Sequence, residues 1–128
     1  NLSELTLGRN FNQNINLPFN IKYLILNCNN QYIIDNLHNS IEKLELSYNF
    51  NLELNNLPTS IKKIIFKNNY YDKELNNLPN SIKYIELSVN FNYQIKNIPK
   101  KLKQITCSKT YKYIDDLYNY GDCEVVVY

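Results

Sequence analysis

The chain has 128 residues, enough for one domain around one core. It holds 24 Asn, 17 Leu, 15 Ile and 12 Tyr but no Ala, Met or Trp and only two Gly, which argues against a helix bundle, a glycine-rich phosphate loop and a membrane-spanning stretch. A formal charge of +2, from 14 Lys and Arg against 12 Asp and Glu, is too mild to name nucleic acid or an anionic membrane as partner.

In chain order, the first predicted strand carries Leu5 and Leu7. The pairs Leu24/Leu26, Leu44/Leu46, Ile64/Phe66, Ile85/Leu87, Ile105/Cys107 and Val125/Val127 follow at intervals of 19, 20, 20, 21, 20 and 20 residues. Three positions before each of the first six pairs stands an apolar residue: Leu2, Ile21, Ile41, Ile61, Ile82 and Leu102. Five positions after its first member come Asn10, Asn29, Asn49, Asn69, Asn90 and Thr110. Then follow Ile15, Ile34, Leu54, Leu75 and Ile95, and after them Leu17-Pro18, Leu37-His38, Leu57-Pro58, Leu78-Pro79 and Ile98-Pro99. Asn residues held in register are not random low complexity. The unit reads L-x-x-L-x-L-x-x-N, the signature of a leucine-rich repeat.

Each column has a physical reason. Alternate residues of a short strand point into the core. The Asn amide both donates and accepts, so a structural ladder of Asn10, Asn29, Asn49, Asn69, Asn90 and Thr110 is expected to satisfy buried loop backbone. Pro fixes φ and starts an extended return. Twenty residues per coil leave little room for a helix, so extended, turn or 3₁₀ structure is expected on the convex side. Phe11, Phe50, Tyr70, Phe91 and Tyr111 form a predicted aromatic spine, with Asn30 the exception.

Three segments break the pattern. His38 replaces Pro and reads as a drifted surface position, not a metal ligand. One extra residue falls within 70–74 and predicts a loop bulge. Residues 111–128 read as a C-terminal capping segment, with a short helix or 3₁₀ turn and a final strand. Leu2, Leu5 and Leu7 face an open N-terminal end, which further repeats, another domain, self-association or a partner is expected to cover. The expected organisation is a single domain: an array of about six 20-residue coils over residues 1–110, then the cap.

The segments FNQNINLPFNIKYLIL (11–26), FNLELNNLPTSIKKIIF (50–66), LPNSIKYIEL (78–87) and FNYQIKNIPKKLKQI (91–105) closely resemble the FNIP repeat. This is a leucine-rich-repeat-like unit of social amoebae and amoeba-infecting giant viruses. The resemblance implies a solenoid with a protein-interaction role, sometimes as the substrate-reading arm of a larger F-box adaptor. These 128 residues hold no F-box segment. The fold class expected is therefore a leucine-rich-repeat-like solenoid with a parallel inner β-sheet of about seven short strands.

The sheet's solvent-facing columns give the candidate site. Partner-binding residues on the concave face are Tyr23, Ile25, Lys43, Glu45, Tyr48, Lys63, Ile65, Tyr84 and Glu86. Tyr and exposed Ile supply anchors, and the charges set complementarity. A Lys series, Lys22, Lys62, Lys83 and Lys103, is interrupted by Glu42. It reads as a solvated rim more readily than as a nucleic-acid groove. With one His and three scattered Cys, no catalytic constellation, metal site or cofactor site is expected. Reduced thiols fit an intracellular protein, in a host cytoplasm or a virion, and no secretory signal is visible. The partner expected is another protein. Assembly through the N-terminal end and anion binding through the Lys-rich area are the alternatives.

Overall fold

The computed structural model describes residues 3–128, and Leu2 lies outside them. Seven strands form one parallel sheet in sequence order: β1 (Glu4–Leu7), β2 (Tyr23–Leu26), β3 (Lys43–Leu46), β4 (Lys63–Phe66), β5 (Tyr84–Glu86), β6 (Gln104–Cys107) and β7 (Glu124–Val127). The predicted pairs stack in register, as Leu5↔Leu24, Leu24↔Leu44, Leu44↔Ile64, Ile64↔Ile85, Ile85↔Ile105 and Ile105↔Val125. The chain is a β-solenoid of about six turns, as the period demands.

Two recurrent turns bend the coils. At the strand exit, Phe11, Phe50, Phe91 and Tyr111 donate backbone N–H to Gly8, Ser47, Ser88 and Ser108. On the return, Ile21, Ile41, Ile61, Ile82 and Leu102 donate to Pro18, His38, Pro58, Pro79 and Pro99. Proline can hold that position because the turn needs its carbonyl and not the N–H it lacks. The Ser of the Ser-Ile-Lys motif has a matching task. Ser60 and Ser81 donate their hydroxyls to the Ile41 and Ile61 carbonyls of the preceding coil, at 2.6 and 2.7 Å.

The inward columns form one continuous core, with Leu24, Leu44, Ile64 and Ile105 fully buried and Ile41, Ile61 and Ile82 equally so. An aromatic spine runs beside it. Phe50, Tyr71, Phe91 and Tyr111 follow one another at ring distances of 6.2, 6.4 and 6.0 Å. The spine residue of the fourth coil is thus Tyr71 and not Tyr70, which is 69% exposed. The extra residue falls in the strand-exit loop between Phe66 and Tyr71, ahead of most of the segment expected to hold it. Tyr71 also anchors its coil by donating its hydroxyl to Leu52 O at 2.8 Å.

The convex side is mostly turn and extended chain, with a one-turn helix in the second coil, α1 (Gln31–Asp35), where none was expected. Its cause is Asn30, the exception in the aromatic column. The Asn30 side chain accepts from Ile33 N at 3.2 Å and donates to Gln13 O at 3.0 Å. It caps the helix, which buries Ile33 and Ile34. At the other end, α2 (Ile114–Tyr118) turns Leu117 into the core and leads to β7. Val126, Val127 and Tyr128 stay exposed along the outer strand.

The Asn column differs from expectation. Asn10, Asn29, Asn49, Asn69, Asn90 and Thr110 are all exposed. Asn29 does bridge coils, donating to Asn49 O at 2.9 Å and accepting from Asn51 N at 2.7 Å. The same chemistry recurs at other positions: Asn51 accepts from Asp72 N, Asn76 from Lys96 N and Asn80 from Lys100 N. The buried amide of the strand exit is Asn68, donating to Phe50 O at 2.9 Å. The turn directs the fifth position outward, and the backbone it leaves behind is served by residues one or two places away.

Candidate functional site: the open face of the sheet

Parallel pairing lays the outward residues in rows. One row runs Glu4, Tyr23, Lys43, Lys63, Tyr84, Gln104, and the next runs Thr6, Ile25, Glu45, Ile65, Glu86, Thr106. All nine sequence-predicted residues lie on or beside these rows, on β2 to β5 or in the loop after β3. This is the face predicted to be concave.

In the first row the two central lysines lean outward onto tyrosines. Lys43 Nζ lies 4.1 Å from the Tyr23 ring centroid, and Lys63 Nζ lies 5.9 Å from that of Tyr84. Adjacent ammonium groups repel, and each ring offers a negative face in the opposite direction. Tyr23 also donates to Glu45 Oε1 at 2.7 Å. Partial burial, and then this bond to a carboxylate, push the Tyr23 hydroxyl up to about 12. Tyr23, Lys43 and Glu45 therefore form one coupled unit across two strands.

The second row is less open than expected. Ile25 is half-buried, and Ile65 is only 5% exposed between Glu45 and Glu86. Ile65 is a packed floor and not an exposed anchor. Cys28, just beyond β2, is likewise buried in the core.

Tyr48 is the outlier. It adopts φ 51° and is the single non-glycine residue with positive φ among the described residues, with 60% of its surface exposed. A left-handed tyrosine costs roughly 1–2 kcal/mol, and burial does not recover it. Arg9 lies over its ring, 5.4 Å from the guanidinium carbon to the centroid.

The Lys series is partly neutralised. Glu42 sits 3.8 Å from Lys22 and 3.4 Å from Lys62, and Glu86 sits 3.6 Å from Lys67. His38 is bound into the return turn: Nδ1 accepts from Ser40 N at 3.2 Å, which leaves Nε2–H to donate to Pro18 O at 2.8 Å. Burial pushes the thiols of Cys28, Cys107 and Cys123 up, away from the reactive thiolate. Among the described residues no group of three or more His, Cys, Asp or Glu is placed to hold a metal ion. Among them, too, no helix is long and apolar enough to cross a membrane.

Sequence reasoning missed two contributors to this face. Motif spacing puts Tyr70 on the spine because the inserted residue shifts the register by one. Asn68 was overlooked because the repeat motif marks the position after it. The doubled Tyr70-Tyr71 was the signal for the first, since the spine has room for one ring per coil.

No curated protein matches the chain. Among solved structures it is similar to one described as "The crystal structure of CroV588 a novel circular LRR protein structure", with 31% identity and a TM-score of 0.65. The match covers 86% of this chain and 18% of that one, so the chain spans only a small part of that protein's length. The model of the FNIP Repeat family matches residues 29–69 and 71–109. With more than half its length so matched, the chain belongs to the FNIP repeat family.

Proposed function

We propose that the chain is a protein-binding module that engages its partner through the open sheet face, between β2 and β5. The leucine-rich-repeat-like fold fits protein partners in general. The observation that carries the specific reading is the grouping there of Tyr23, Tyr48 and Tyr84 with the charges of Lys43, Glu45, Lys63 and Glu86. Tyrosine offers a large contact area at low entropic cost, and flanking charges of both signs select a partner. Such a module suits the reading arm of a larger adaptor inside the cell. The raised thiols and the turn-bound His38 support binding over catalysis. A capture experiment with the native chain and a Tyr23→Ala, Tyr84→Ala double variant tests this. Proteins retained by the native chain should be lost from the folded variant. Equal capture by both would refute the reading.

Self-association is a second reading, favoured by the exposure of Val126, Val127 and Tyr128 on the edge strand β7, with β1 at the other edge. Light scattering should then show oligomers that grow with concentration and vanish when the exposed Val126 and Val127 are made polar. A monomer at every concentration would rule it out.

A further inference from the structure

Where β2, β3 and β4 end, the open face deepens into a cleft of about 800 Å³, lined among others by Ile25, Asn27, Glu45, Tyr48, Asn68 and Tyr70. We infer that this cleft binds an arginine side chain presented by the partner. The inference rests on the open-face reading and names the chemistry that this part of the face selects.

The lining is rich in acceptors. Glu45 brings a carboxylate, one oxygen of which accepts the Tyr23 hydroxyl while the group retains further acceptor capacity. Asn27 and Asn68 each hold a side-chain carbonyl oxygen, closed to solvent and without a hydrogen-bond partner, that adds negative potential behind the lining. The orientation of Asn68 is fixed, because its amide nitrogen already donates to Phe50 O. The one cation of the lining, Lys67, is directed to Glu86 at 3.6 Å. An anionic guest would meet Glu45 and satisfy none of these acceptors. A donor-rich cation would pair with the Glu45 carboxylate and meet the negative potential behind it favourably.

The aromatic residues narrow the choice between cations. Tyr48 and Tyr70 are 60% and 69% exposed at the cleft. Flat rings suit a flat cation, and guanidinium stacks on a ring face while its edge donates up to five N–H groups. An ammonium has three donors and no plane. A guanidinium is already accommodated at this ring, since Arg9 lies over Tyr48. The strained backbone of Tyr48 holds that ring out where burial gives it nothing. Residues kept in such conformations concentrate at binding sites.

The test is an NMR titration of the whole chain with the blocked tripeptide acetyl-Gly-Arg-Gly-amide and with its lysine and citrulline counterparts. Citrulline keeps the shape of arginine and removes the charge. The arginine peptide should shift Tyr48, Tyr70 and Asn68 signals and bind at least tenfold tighter than the citrulline peptide and at least threefold tighter than the lysine peptide. Glu45→Gln, which keeps an acceptor for Tyr23, should weaken the arginine peptide about tenfold, with spectral changes in the folded chain confined to Glu45 and its neighbours Tyr23 and Lys43. Equal binding of arginine and citrulline, equal binding of arginine and lysine, or shifts lying outside the cleft would overturn the inference. If the Tyr23→Ala, Tyr84→Ala variant loses its partners and the arginine peptide does not bind, the inference falls and the open-face reading stands. If that variant keeps its partners, the reading itself has failed.

Discussion

Tyr48 and Asn68 show how the same loop can hold one residue against its interest and another for its stability. The left-handed φ of Tyr48 costs roughly 1–2 kcal/mol, and its exposed contact with Arg9 offsets about 0.5–1 kcal/mol. Tyr48→Gly should therefore raise stability by about 0.5–1 kcal/mol in a denaturant titration, and a loss would show that the ring is structural. Asn68 joins coils from a buried position. Asn68→Ala should cost about 1–3 kcal/mol, while Asn49→Ala, in the exposed column, should stay within about 0.5 kcal/mol. The spine tyrosines predict a pH dependence. Burial first, with nearby acidic groups adding to it, raises the Tyr71 and Tyr111 hydroxyls well above the ordinary value near 10. Above pH 10 the unfolded chain releases these protons and the folded chain keeps them, so the unfolded state gains. Stability is fully present below pH 10 and should fall as pH climbs beyond it, by up to about 1.4 kcal/mol per pH unit for each tyrosine held protonated. Tyrosinate absorbance should rise together with the loss of sheet circular dichroism. Early titration of the spine in a folded chain would contradict its burial.

At the scale of the coil, strand positions and register were legible because period and alternation are both properties of the sequence. Leu24, Leu44 and Ile64 recur at fixed spacing and stack in register. The turns were legible through proline. The column facing outward after the strand was not legible, since it depends on where the turn bends, and motif spacing does not report that bend. The helix α1 was hidden for a related reason: a single Asn30 in an aromatic column converts a return strand into a capped turn. Ile65 shows the limit on the open face, where alternation assigns a side but not the cover given by Glu45 and Glu86. The fourth coil gives a sharp test of the spine. Tyr71→Ala should cost about 3–5 kcal/mol, as large aromatic truncations in cores do. Tyr70→Ala, one residue away, should cost less than about 0.5 kcal/mol. Equal effects would mean that the inserted residue lies elsewhere.

Across the whole molecule, one side of a seven-stranded sheet packs on the core and the other is not covered by the chain's own coils. Strand spacing makes that face about 30 Å wide, ample for a protein contact. Its ion pairs at the rim are exposed, so they contribute little to stability, and their charges remain available for recognition. The candidate residues were legible as outward columns, but the cleft was not, because it joins three successive strand exits and includes an inserted residue. The most direct test is hydrogen–deuterium exchange on the chain with and without a purified protein that it captures. Protection should appear in segments 23–25, 43–48, 63–70 and 84–86, and leave the convex returns unchanged. Protection confined to the convex returns or to the outer strands β1 and β7 would contradict an open-face binding module.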